Sequence, residues 1–314
     1  MRFCRFEFEG FAHYGQVEMR DGDAVGEAAG KREAQSAHSE SGPLAISPAI
    51  SPANLQANSQ ANSQAWITAI LDAAPVPEPA PLAALRLREA ERARLRFIPI
   101  PWAAAKPLTP IQPSKIICVG RNYRDHAQEL GNDAPQEPLI FFKPISSLIA
   151  PGEAIRLPAV SQRVDFEGEL TLVIGRRTHK LASDADWRSV LLGYTLANDV
   201  TARDLQNKDD QWARAKGFDT FCPLGPWISD ELDPVAGVTL ETRVNGQLRQ
   251  HGTTRDFLFG IPDLLIYITS VMTLEPGDLI LTGTPAGVGP LAAGDRVEIS
   301  VPGLGTLFNT VAEE

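Results

Sequence analysis

The 314 residues carry 29 Lys and Arg against 39 Asp and Glu, a net charge of −10, with 43% hydrophobic and 22% charged residues. This is globular composition with material for one large or two medium domains of roughly 100–200 residues each, and its acidity argues against nucleic acid as a partner. No apolar run reaches the roughly 18–20 residues that span a bilayer. Charges interrupt the N-terminal MRFCRFEFEGF, which is no secretory signal. Cys4, Cys118 and Cys222 are odd in number and far apart, fitting neither a disulfide framework nor a thiolate zinc site. The expectation is a soluble, cytoplasmic enzyme or small-molecule binder.

Alternation over Arg2–Phe8 and the segment Tyr14–Met19, closed by the Asp21-Gly22-Asp23 turn, predict a short β-meander. Residues 35–65 contain two tandem echoes, AISPAISP and QANSQANSQ, no aromatic residue and almost no charge. Such a stretch buries too little apolar area to offset its ordering entropy, which predicts a disordered insert. A short helix is expected over Trp66–Ala73, then the Pro-rich PVPEPAP and a charged amphipathic segment over Ala83–Arg96. From Pro107 onward regular structure dominates. Strands are predicted at Lys115–Val119, Leu139–Lys143, Phe166–Ile174, Tyr194–Val200, Leu279–Thr282, Arg296–Val301 and Thr306–Val311, with a short helix near Arg124–Leu130. Asn245-Gly246 is the dipeptide of a type I′ hairpin turn. Ile261, Leu264, Leu265, Ile268 and Met272 repeat at helical spacing. Strands outnumber helices, so the fold class is α+β and β-rich. The composition shift near Pro107 predicts a small N-terminal domain over 1–110 and a catalytic domain over 111–314.

Four stretches carry candidate chemistry. In Asp165-Phe-Glu-Gly-Glu-Leu, Glu167 and Glu169 share one strand face by the period of two. Both faces of the strand's second half, Leu170–Ile174, are apolar, which buries it on both sides, and Asp199 lies in a second apolar strand. Buried carboxylates need a compensating cation, and an oxygen-only set suits Mg²⁺ or Mn²⁺, with Ca²⁺ a third hard ion, rather than zinc. The same E-x-E spacing also fits the solvent face of an edge strand. His126 and Glu129 are three apart on one helix, the arrangement in which a carboxylate orients an imidazole as general base; an exposed ion pair is the other reading. Leu-Thr-Gly283-Thr284-Pro-Ala-Gly-Val-Gly is neither a P-loop nor a dinucleotide fingerprint, and reads as an anion-binding loop or a plain turn. Arg203, Gln206 and Lys216 follow in RDLQ and AKGFDTFCP. Lys216 stands in an apolar run, and Cys222, between Phe and Pro, reads as a small buried hydrophobe.

The order of these motifs (G-x-N-Y-x-x-H-x-x-E, D-F-E-G-E-L, N-D-V-T-A-R-D-L-Q, A-K-G-F-D-T-F-C-P-L-G-P and L-T-G-T-P-x-G-V-G) resembles the fumarylacetoacetate hydrolase superfamily, in its acylpyruvase and hydroxymuconate-isomerase branch, from Pro113 to Val311. The resemblance implies a mixed β-roll core and a homodimer. It implies Mg²⁺ or Mn²⁺ held by Glu167, Glu169 and Asp199, with the other positions left to water and a small-molecule 2-oxo acid substrate. His126 and Glu129 would activate water, Lys216 and Gln206 would stabilise an oxyanion, Gly283 and Thr284 would cradle the substrate carboxylate, and Arg203 would orient it. Hydrolysis of a C–C bond in acylpyruvate-type 2,4-dioxo acids is the implied reaction. Isomerisation or decarboxylation of hydroxymuconate-type or oxaloacetate-type acids is the alternative on the same site.

Overall fold

The computed structural model describes residues 1–20, 64–71, 74–75, 93–94, 97–129, 131 and 133–314; most of the expected insert and the amphipathic segment lie outside them. Strands form three sheets. The largest has twelve strands. From one edge it runs Ile100–Pro101, Ala65–Ile70, Phe11–Met19, Arg2–Phe8, Cys222–Ser229, Leu191–Asn198, Gly168–Ile174, Leu279–Leu281, Ile116–Gly120 and Leu139–Lys143, with Lys106–Leu108 and Leu148–Ile149 as side branches. The N-terminal strands join it where Arg2 and Phe3 pair with Ser229 and Ile228. A five-stranded sheet contains the Thr239–Val244/Gln247–Thr253 hairpin, Arg296–Val301, Gly305–Glu313 and Ala154–Leu157. Three short strands, Thr201–Ala202, Val164–Phe166 and Gly289–Pro290, form the third.

Most pairings are antiparallel, but Ile116–Gly120 runs parallel to Leu279–Leu281, and Gly305–Glu313 to Ala154–Leu157, giving the mixed, β-rich α+β architecture expected. All seven residues of Gly168–Ile174 are buried, as is Glu167 just before it, which removes the edge-strand reading of Glu167 and Glu169. The main core fills the space between the sheets with Leu170, Leu172, Leu196, Ile280, Ile299 and Leu307. It is closed by the helix Ile261–Val271, which buries Ile261, Leu264, Leu265 and Ile268. Val244 pairs with Gln247 across Asn245 and Gly246, whose φ values of 53° and 78° are those a type I′ turn requires.

Two expectations need correction. The helix expected over Trp66–Ala73 is replaced, where it is described, by a strand, Ala65–Ile70, beside Phe11–Met19; residues 72–73 lie outside the described residues. Buried Ile67 and Ile70 imitate helical spacing because a register shift between Gln16 and Val17 lets residues three apart both face the core. Phe166–Ile174 is not one strand either. Val164–Phe166 belongs to the small sheet and Gly168–Ile174 to the large one, with Glu167 at the corner between them.

Candidate active site

That corner builds the site. A second chain segment changes sheets beside it: Leu191–Asn198 ends in the large sheet, Thr201–Ala202 begins the small one, and Asp199 falls between. The two corners are stitched together, with Asp199 N donating to Glu167 O at 2.8 Å and Glu167 N to Asn198 Oδ1 at 2.9 Å. Chains that switch sheets must bend, and the bend turns side chains inward. Glu169, one step into the large sheet, completes the group. One carboxylate oxygen from each of Glu167, Glu169 and Asp199 lies within 4.8 Å of the others, and all three residues are buried.

Three buried cations surround these acids. Lys216, only 1% exposed, bridges Glu167 Oε2 at 2.9 Å and Asp199 Oδ2 at 2.6 Å. Arg203 reaches Asp165 at 2.9 Å, Glu167, and Gln206 Oε1 at 2.5 Å. Lys143, 2% exposed, donates to Val200 O at 3.1 Å and lies 2.8 Å from Asp199 Oδ1. Asp165 is shared by Arg203 and the half-exposed Arg163, Glu167 by Arg203 and Lys216, and Asp199 by Lys216 and Lys143, whereas Glu169 has no ion pair among the described residues. The acids divide accordingly. Burial opposes ionisation of Glu167 most, but Lys216 and Arg203 overcome it and hold its carboxyl well below the usual range. Burial, then the charges of Asp199 and Glu167, push the Glu169 carboxyl well above it. The Lys216 ammonium, despite burial, is held charged by Asp199 and Glu167.

These residues fit a hard divalent ion. The donors are all oxygens, and Glu169 has no cationic partner among the described residues. Asp199 Oδ1 is buried and accepts no hydrogen bond, because Lys143 stands close but out of alignment.

His126, buried on the helix Arg124–Glu129, places Nδ1 3.2 Å from Glu129 Oε2. The backbone N–H of Gly287 donates to Glu129 Oε1 at 3.0 Å. Partial burial raises the Glu129 carboxyl, but His126 and that N–H outweigh it and leave it below its ordinary value. Metal-type acids and His–Glu pair border one cavity of about 470 Å³, with Arg203, Gln206, Lys216 and Thr284 also on its wall. Gly283 does not border it: its N–H, at φ 98°, donates to Glu169 Oε2 at 2.6 Å. Thr284 donates to Gly168 O at 2.8 Å.

Sequence reasoning passed over Lys143 and Gln250. Lys143 had a signal, a lysine closing the apolar strand Leu139–Lys143 before Pro144. Gln250 had none. It is fully buried on the hairpin, accepts from Gly168 N at 3.0 Å, and donates to Thr284 Oγ1 at 2.7 Å and Pro285 O at 2.8 Å. Cys118 and Cys222 are buried and free, and burial pushes the Cys222 thiol up to about 12, so neither is poised as a nucleophile. Among the described residues no helix is long and apolar enough to cross a membrane.

The comparisons agree with this architecture. The chain is 41% identical over 213 residues to oxaloacetate tautomerase YisK of Bacillus subtilis, covering 64% of this chain and 70% of that protein. It is 45% identical over 201 residues to the mitochondrial oxaloacetate decarboxylase of Dictyostelium discoideum, covering 61% of this chain and 90% of that one. The crystal structure of 5-carboxymethyl-2-hydroxymuconate delta-isomerase from Mycobacterium smegmatis superposes with a TM-score of 0.73 at 37% identity, over 100% of both chains. Residues 115–312 match the model of the fumarylacetoacetate (FAA) hydrolase C-terminal domain, and the chain belongs to that family.

Proposed function

We propose that the protein is a divalent-metal-dependent hydrolase that cleaves a C–C bond in acylpyruvate-type 2,4-dioxo acids, with residues 111–314 as its catalytic unit. The observation that carries this reading is the His126–Glu129 pair. It is anchored by Gly287 and faces the same cavity as the three acids. Glu167, Glu169 and Asp199 would hold Mg²⁺ or Mn²⁺. Such an ion would supply Lewis acidity toward a 2-oxo acid.

The chain's own groups supply the rest. Glu129 accepts from His126 Nδ1, which leaves Nε2 as the basic nitrogen able to take a proton from water. The water adds to the distal carbonyl, and Gln206 and Lys216 border the cavity where its oxygen becomes negative. Collapse of the adduct breaks the bond from that carbon to C3, releasing the carboxylic acid, and the proton held at His126 Nε2 passes to C3 to give pyruvate. Lys216 arrives charged and fixed by two carboxylates, so it needs no reorganisation as charge develops. Each nitrogen of the Arg203 guanidinium already donates once, to Asp165, Glu167 and Gln206. It therefore serves this reaction by holding Glu167 and Gln206 in place. Thr284 and Gly283 fix the backbone and carboxylate of the Gly168-Glu169 step.

A second reading is tautomerisation or decarboxylation of oxaloacetate-type acids, favoured by the names of the tautomerase, decarboxylase and isomerase relatives. The same base and cation site would then move a proton on carbon, without adding water. Product analysis with Mg²⁺ on acetylpyruvate and oxaloacetate separates the two. Acetate and pyruvate in equal amounts support hydrolysis. Carbon dioxide, or enol–keto exchange without cleavage, as the sole product replaces it with the second reading.

A further inference from the structure

Of the four cationic side chains on the cavity wall, three are matched to carboxylates. Arg163 forms a fork with Asp165 at 2.9 and 3.2 Å, Arg203 binds Asp165 and Glu167, and Lys216 binds Glu167 and Asp199. The fourth, Arg121, has no hydrogen bond or ion pair among the described residues; its guanidinium lies 5.9 Å from the centre of the Trp212 ring. Its backbone is unusual as well. Arg121 adopts φ 57°, the left-handed region that disfavours a residue bearing Cβ. That conformation turns the chain sharply between the strand Ile116–Gly120 and the helix of His126. A strained, half-buried arginine with no counter-ion on a cavity wall is a group whose partner arrives with the ligand.

We infer that Arg121 is a specificity-determining residue, the group that would bind the distal carboxylate of a 2-oxo dicarboxylic acid. This deepens the proposed function and rests on its 2-oxo acid reading of the cavity. The acid's own carboxylate and oxo group belong at Glu167, Glu169 and Asp199. In the large sheet, the strand of Glu169 and the strand that ends beside Arg121 are separated by one strand, Leu279–Leu281. Two inter-strand spacings make roughly 10 Å between their backbones. A four- to seven-carbon chain anchored at the acids can meet an arginine reaching back across that gap. The guanidinium fork suits a carboxylate in two-point contact better than a neutral acyl tail. The Trp212 ring, 5.9 Å from the Arg121 guanidinium, is near enough for a cation–π contact.

The test is titration calorimetry of the Mn²⁺-loaded protein with pyruvate and with 2-oxoglutarate, in wild type, Arg121→Gly and Arg121→Lys. Glycine accepts the left-handed φ, so Arg121→Gly should fold with an unchanged or raised Tm while losing the guanidinium. The expected result is wild-type preference for the dicarboxylate. Arg121→Gly should weaken 2-oxoglutarate binding by roughly 10- to 100-fold and pyruvate binding by less than about twofold. Arg121→Lys should recover part of the loss. Equal wild-type affinity for the two acids, or equal weakening of both in Arg121→Gly, overturns the role of Arg121 and leaves the 2-oxo acid reading standing. Failure of either acid to bind the loaded wild type overturns both.

Discussion

At the level of single residues the site is an exercise in charge placement. His126 touches Glu129 and none of the three acids is hydrogen-bonded to it, so its loss should be felt in turnover and not in ion binding. His126→Ala is expected to lower kcat by roughly 10²–10⁴-fold, with Mn²⁺ affinity measured by calorimetry within about twofold of wild type. Parallel losses in both would place His126 among the ion's ligands instead. Glu169 offers a pH experiment. Its carboxyl is raised above the ordinary 4.5 by burial and by two neighbouring acids. A carboxyl raised on folding favours the folded state while protonated, and that advantage shrinks as pH climbs through and beyond 4.5. A cation bound to Glu169 reverses the preference by stabilising the ionised form, and binding expels the proton. The rise in Tm produced by saturating Mg²⁺ should therefore grow from about pH 5 to about pH 8. A rise that shrinks over that interval, in scanning calorimetry, contradicts the assignment of Glu169 as a ligand.

At the level of elements, one loop governs both halves of the chemistry. The segment after Leu279–Leu281 gives Gly283 N–H to Glu169, Thr284 to Gly168 and Gly287 N–H to Glu129. Gln250 closes a ring with it, from Gly168 N through its own amide to Thr284 and back to Gly168 O. The Gly168 backbone is thus held at both its donor and its acceptor, between the carboxylates of Glu167 and Glu169. A Cβ at Gly168 would stand 2.2 Å from Thr242 Oγ1, which explains a glycine inside so buried a strand. Gln250→Leu should leave Gly168 N–H without a partner and weaken Mn²⁺ affinity by roughly 10- to 100-fold, the usual effect of losing a group that orients a ligand. A core truncation on the same hairpin, Leu240→Ala, provides the comparison: similar loss of Tm with unchanged affinity shows that Gln250 acts on the site rather than on general stability. The Gly-Thr motif was visible in the sequence because glycines and threonines advertise close backbone approach. The other side of the ring was not, because a lone glutamine in an alternating hairpin strand looks like any solvated residue until pairing turns it inward.

At the level of the whole molecule, the periodic strands, the Asn245-Gly246 turn and the helix Ile261–Val271 were legible because each arises from local chemistry. What local chemistry could not reveal was sheet membership. Nothing in Val164–Ile174 marks Glu167 as a corner, since the break arises from pairing with distant partners, Val164 with Ala202 and Phe166 with Gly289. Ala65–Ile70 reads as helical for a related reason: Thr68 is an extra residue bulged between the partners of Gln16 and Val17, and only pairing with Phe11–Met19 reveals it. Topology also constrains the N-terminal region. Phe11–Met19 and Ala65–Ile70 pair so that Met19 faces Ala65, and Arg20 N donates to Gln64 O at 2.8 Å. The chain therefore leaves and re-enters the sheet at one place, and the residues between need only close the hairpin. Shortening such a connection lowers the entropy cost of closure, by about 0.6 kcal/mol for each halving of length, provided the turn matches the strand twist. Replacing residues 21–63 by Asn-Gly, the dipeptide already used at residues 245–246, should leave Tm equal or higher and turnover within about twofold. A fall in Tm of more than about 5 °C, or lost turnover at unchanged Tm, would show that this segment takes part in the fold or in covering the cavity.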